Sequence, residues 1–189
     1  EFKDECFQRE IIFAEEKFIG SEDCLYLNVW SPRLPEQEIN EMDKPLPVMM
    51  WIHGGGNIVG DAKIYDPSTL VSEQEVIVVT IQYRMGALGW FRHPSLVDQN
   101  SSLEEKSGNF GTLDTIAALK WIKNNIDAFG GDPNNVTIFG ESAGGHNVTA
   151  LFASPLAAGL FHKVIVQSGV SSVSSITASE NYLPDNREA

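Results

Sequence analysis

The sequence predicts an α/β fold built on a central, mostly parallel sheet flanked by helices. Three observations predict it. The apolar runs are short and rich in β-branched residues, as strands buried on both faces are. Gly, Pro or Asp bounds each run. Helix-forming stretches separate or follow them, and a strand–helix–strand order folds through right-handed crossovers into parallel neighbours.

Taken in order, the strands are expected at 25–30, 48–53, 76–83, 136–140 and 163–167. Runs of about five such residues are too short for a buried helix. A helix is expected over 112–129. Leu113, Ile116, Ala117 and Ile126 share one stripe with the stems of Lys120 and Lys123, and Gly130-Gly131-Asp132-Pro133 is the stop signal. A second helix is expected over 143–153, ended by Ser154-Pro155. Residues 43–47 and 96–106 read as exposed loops. Residues 171–189 are Ser-rich, then polar, and read as a frayed tail.

Composition narrows the function classes. The chain has 189 residues and a formal net charge of −13, so it lacks the basic surface that nucleic acid or an anionic membrane selects. Its 42% hydrophobic content excludes a disordered chain. No apolar run approaches the ~18 residues of a membrane-spanning helix. The chain begins at Glu1 without Met or a signal-like segment, which reads as processing or as a piece of something longer.

Two motifs carry chemistry. Gly140-Glu141-Ser142-Ala143-Gly144 matches G-x-S-x-G, with an expected strand before it and an expected helix after it. A sharp strand-to-helix turn holds a serine hydroxyl out at the carboxyl end of the sheet, and the helix start points N–H groups at a developing oxyanion. His53-Gly54-Gly55-Gly56 follows another expected strand and is much the rarer pattern by chance. Its glycines let backbone N–H groups approach a substrate oxygen closely. A phosphate-binding loop is the competing reading, but it needs a helix and a Lys or Ser/Thr directly behind the glycines, and Asn57-Ile58-Val59-Gly60 stands there instead.

The two loops in this order resemble the α/β-hydrolase fold. Four further blocks, at 21–29, 82–90, 108–114 and 159–169, resemble those of the type-B carboxylesterases, the carboxylesterase/cholinesterase family, and the likeness runs from Cys6 to about Gly169. The resemblance implies that Ser142 is the acylated nucleophile. Gly55, Gly56 and the N–H of Ala143 would form the oxyanion hole. Glu141 would lie beside the site; His53, by its own place in the loop, is read as site-adjacent and as orienting the oxyanion loop by a hydrogen bond. Arg84 and Asp114 would form a structural salt bridge. It also implies that Cys6 pairs with Cys24 in a disulfide worth roughly 3 kcal/mol, which points to a secreted, periplasmic or otherwise extracytoplasmic protein. The residues alone leave open two reduced thiols in a cytoplasmic protein. Two departures stand out. Asn57 occupies a position where many members carry an aromatic. The loop between Cys6 and Cys24 holds Phe13 and Phe18 but no Trp, which argues against choline esters.

A serine esterase also needs an imidazole and a carboxylate to orient it. The four histidines each have another reading: His53 in the oxyanion loop, His93 in a turn, His162 at a strand start, and His146 on a helix expected to carry it away from the serine. Glu180 and Asp185 lie in the polar tail. The expectation is therefore a partial α/β-hydrolase catalytic domain over 1–189, its first and last strands and its triad acid and His lying outside the chain, and inactive alone. The predicted function is carboxylic-ester hydrolysis through an acyl-enzyme, on a small-molecule ester, with no metal or cofactor. A hormone-sensitive-lipase-like esterase and a non-catalytic adhesion relative of the same fold are the alternatives.

Overall fold

In the computed structural model, residues 2–10, 17–33, 35, 39, 43–93, 95 and 97–170 are described. Phe13, Glu180, Asp185 and the expected tail at 171–189 lie outside them.

The sheet has five strands: β3 (Leu27–Trp30), β4 (Leu46–Ile52), β5 (Ile77–Ile81), β6 (Gly131–Glu141) and β7 (Lys163–Gln167). Their spatial order is β3-β5-β4-β6-β7. Only β3 runs antiparallel, against β5; the other pairs are parallel. A small hairpin, β1 (Gln8–Glu10) with β2 (Lys17–Ile19), stands apart from this sheet. The five expected strands are these five, with ends shifted. β4 begins inside the stretch read as a loop at 43–47, because Leu46 N–H donates to the Gly130 carbonyl and opens the ladder with Gly131.

The layering follows the side-chain period of two. Val48, Met50 and Ile52 of β4 are fully buried, facing the same core as Ile138. Trp51 points to the other face, where its ring meets Tyr65 at 5.1 Å and Phe139 at 4.8 Å. β5 is buried at every position, whereas every residue of the edge strand β7 is exposed.

Five helices lie wholly within the described residues: α1 (Ser68–Gln74), α2 (Gly86–Gly89), α3 (Leu103–Ser107), α4 (Phe110–Asn125) and α5 (Ala143–Ala153). A 3-10 turn, Ile126–Phe129, continues α4 and ends on Gly130 at φ 81, as the Gly-Gly stop signal implies. The inward stripe of α4 differs from the expected one. Ile116, Leu119 and Ile122 of α4, with Ile126 beyond it, are buried, while Ala117 and Lys120 face out. A rotation of about one residue puts long apolar side chains inside and leaves the Lys120 ammonium in water. α3 begins inside the stretch read as a loop at 96–106. Its signal is a capping box: Ser102 Oγ accepts from Glu105 N–H at 3.1 Å, and Glu105 Oε2 accepts from Ser102 N–H at 2.7 Å. No helix among the described residues is long and apolar enough to cross a membrane.

Candidate active site

β4 and β6 are parallel neighbours, so their carboxyl ends lie side by side, Ile52 opposite Gly140. The loop after β4 and the turn after β6 therefore face one another, at the sheet edge where ligands of open α/β sheets bind.

Ser142 is the hinge between β6 and α5. Its backbone stands at φ 55, ψ −121, outside the favoured basins of a residue with a Cβ. Such a conformation costs of order 1–3 kcal/mol and persists only where the surroundings over-determine it. They do: Ser142 N–H donates to the Gln167 carbonyl of β7 at 2.9 Å, and its own carbonyl accepts from His146 N–H at 3.0 Å, opening α5. The glycines on either side are required by close approach. A Cβ on Gly144 would fall 2.0 Å from the Ile52 carbonyl oxygen, and one on Gly140 would fall 2.6 Å from the Gly144 carbonyl carbon. The helix leaves the strand too tightly for any side chain there.

The glycine loop after β4 is bent back. Gly55 stands at φ 106 and Gly56 at φ 65, and the Gly55 carbonyl accepts from Ile58 and Val59 N–H. A Cβ on Gly55 would sit 1.8 Å from the Val59 carbonyl oxygen. The N–H groups of Gly55, Gly56 and Ala143 find no acceptor among the described residues. For Ala143 this is the geometry of a helix start, whose first N–H groups have no carbonyl a turn earlier. Gly56, Asn57, Ser142, Ala143, His146 and Asn147 line a common cavity of about 670 Å³.

His53 stands behind the loop, fully buried and stacked on Tyr83 with ring centroids 4.4 Å apart. Its Nδ1 lies 2.8 Å from the Gly54 carbonyl, which makes Nδ1 the protonated nitrogen and the donor. Burial pushes its pKa below the ordinary imidazole value, and the bond to Gly54 opposes that only in part. The Tyr83 hydroxyl donates to the His53 carbonyl at 2.5 Å. Glu141 ends β6 beside the loop, its Oε2 3.3 Å from where a Gly54 Cβ would be. It lies outside the cavity lining.

The other sequence-derived residues are placed as follows. Arg84 and Asp114 meet as a fork, with Nε to Oδ2 at 2.8 Å and an Nη2-to-Oδ1 contact of 2.6 Å, and Arg84 N–H donates to the same carboxylate at 3.0 Å. The carboxylate raises the guanidinium's pKa. Cys6 and Cys24 are bonded to each other and buried. His162 accepts Val136 N–H at its Nδ1, at 3.0 Å, and His93 holds its own turn through Ser95. His146 differs from expectation. Four residues after Ser142 it shares the serine's face of the helix and lines the same cavity.

Two contacts had no local signal. The side-chain amides of Asn57 and Asn147 pair reciprocally, and Gln8 of the hairpin bonds to Gly60. Each joins residues far apart in sequence, and periodicity reports only near neighbours.

Comparison with known proteins points to one family. The model of the carboxylesterase family matches residues 1–187. Carboxylesterase 1E of Rattus norvegicus is 51% identical over 151 residues, covering 80% of this chain and 25% of that protein. Para-nitrobenzyl esterase of Bacillus subtilis (strain 168) is 53% identical over 153 residues, covering 80% of this chain and 29% of that one. A solved PNB esterase structure superposes with a TM-score of 0.70 at 49% identity, over 82% of this chain and 30% of that chain. The chain thus spans about a quarter of the length of the curated relatives it matches.

Proposed function

Because this chain belongs to the carboxylesterase family, we propose that it supplies the nucleophile and the oxyanion donors of a serine carboxylesterase acting on small-molecule esters. The observation that carries the reading is Ser142, held at φ 55 between β6 and α5 on the wall of a cavity it shares with Gly56 and Ala143. Strain of this kind persists where a fold needs it, and here it turns a hydroxyl towards open space.

The chemistry follows from the groups present. Ser142 Oγ attacks the ester carbonyl carbon as its proton passes to an imidazole. The carbonyl oxygen gains the charge and takes hydrogen bonds from the N–H groups of Gly55, Gly56 and Ala143. Each such donor is worth ~3 kcal/mol of barrier when it is aimed at the developing oxyanion rather than the ground-state oxygen. The tetrahedral intermediate collapses, the proton goes to the departing alcohol oxygen, and water repeats the steps on the acyl-enzyme. His53 is neutral and committed to Gly54, so it serves to orient the loop. His162 is committed to Val136. The imidazole that receives the serine proton, and the carboxylate behind it, come in this proposal from sequence outside residues 1–189.

The disulfide fits an oxidising compartment, and we place the protein in a secretory or other extracytoplasmic setting.

The test is covalent labelling of the full-length protein with a fluorophosphonate, followed by peptide mapping. Phosphonylation at Ser142, absent from Ser142→Ala, is the expected result. Lack of labelling in a folded protein would overturn the reading in favour of a non-catalytic binding relative.

A further inference from the structure

The oxyanion loop is built from glycines, which adopt positive φ without cost and therefore do not hold it by themselves. Its geometry has to be held at its far end. There Asn57, itself at φ 58, makes three bonds. Its carbonyl accepts from Gly86 N–H at 2.6 Å. Its side-chain Oδ1 accepts from Asn147 Nδ2 at 2.9 Å, and its Nδ2 reaches Asn147 Oδ1 at 3.4 Å. Asn147 is 4% exposed and sits on α5, the helix that begins at Ser142. Both amides border the cavity. The pair therefore ties the loop bearing the Gly55 and Gly56 N–H groups to the helix bearing the Ala143 N–H and the serine.

We propose that the Asn57–Asn147 amide pair is a positioning device that sets the spacing of the two halves of the oxyanion hole. The proposal rests on the serine-esterase reading above. Donors act only within about 2.7–3.1 Å of the developing oxyanion. A loop displaced by 1 Å can lose on the order of a hundredfold in rate. The amides touch the donor-bearing segments and need not touch substrate, so their loss slows acylation and deacylation alike and leaves ground-state binding as it was.

The experiment is a double-mutant cycle in the full-length protein with Asn57→Gly, Asn147→Ala and both. Glycine at 57 keeps the positive φ, so the change removes the amide without straining the backbone. Fluorophosphonate labelling of Ser142 and hydrolysis of p-nitrophenyl acetate are read alongside thermal unfolding. Each single variant is expected to slow labelling and lower kcat about tenfold, with KM within about twofold. The double variant is expected to be no slower than the slower single, because either change breaks the same link. Asn57→Gly carries the test alone if Asn147→Ala does not fold. Unchanged rates, multiplying effects, or a raised KM at constant kcat would each overturn the proposal while leaving the esterase reading intact. A folded wild type that does not label overturns both.

Discussion

The side chain of Gln8 and the backbone of Gly60 exchange two hydrogen bonds: Gly60 N–H donates to Gln8 Oε1 at 2.7 Å, and Gln8 Nε2 donates to the Gly60 carbonyl at 2.9 Å. The same Nε2 reaches the Cys6 carbonyl at 3.1 Å. The disulfide-closed hairpin thereby braces the end of the glycine loop after β4. Gln8→Ala leaves both Gly60 groups without these partners in a half-buried setting, so it is expected to destabilise the fold by about 1–3 kcal/mol. Denaturant unfolding measures this. Labelling of Ser142 is expected to slow in parallel, and an unchanged midpoint would show that water replaces the amide at no cost.

The strain at Ser142 has its own signature. Ser142→Ala keeps a Cβ at φ 55 and keeps the strain, whereas Ser142→Gly removes it. The glycine variant is therefore expected to be more stable than the alanine variant by about 1 kcal/mol, the reverse of the usual order. Comparison of the two unfolding midpoints checks it, and both variants are expected to be inert to fluorophosphonate.

At the Arg84–Asp114 pair the carboxylate side chain is 5% exposed and the guanidinium side chain 35%. Breaking a buried ion pair by removing one partner typically costs 3–5 kcal/mol. Because water still reaches Arg84, Asp114→Ala is expected to cost about 3 kcal/mol, near the low end of that range. Arg84→Lys is expected to be destabilising as well, since an ammonium cannot reproduce the two-pronged contact. Equal stability of Arg84→Lys and wild type in urea would show that charge alone matters there.

His53 makes stability depend on pH. Its folded pKa lies below the ordinary imidazole value of 6.5 because burial disfavours the imidazolium. The unfolded chain therefore binds a proton first as pH falls. The contribution is full above about 6.5 and is lost as pH drops towards the folded pKa, at up to ~1.4 kcal/mol per pH unit. The gap in unfolding free energy between wild type and His53→Gln is expected to shrink as pH falls below about 6.5. A gap constant with pH would exclude His53 as its source.

Much of the site was legible in short-range pattern. The strand before Ser142 and the helix after it follow from β-branched residues and a Ser-Pro stop, and α5 is where the pattern puts it. The buried stripe of α4 lies about one residue round from the one its sequence implies, because several spacings satisfy a period of 3.6 and only packing against the sheet chooses among them. The Ser102–Glu105 capping box was in the sequence and marks a helix where a loop was expected.

The sequence by itself determined the class of fold, the strand-to-helix turn at Ser142 and the glycine loop, because each is a local demand: a period, a cap, a backbone conformation only small residues permit. Tertiary structure alone decided that β4 and β6 are neighbours, which brings the two loops to one cavity. It also decided that Gln8 braces Gly60 and that Asn57 finds Asn147. A primary amide can bond to almost any polar group that reaches it, so its residue type does not name its partner. That choice falls to the chain's path through the sheet, where burial leaves each amide few groups to meet.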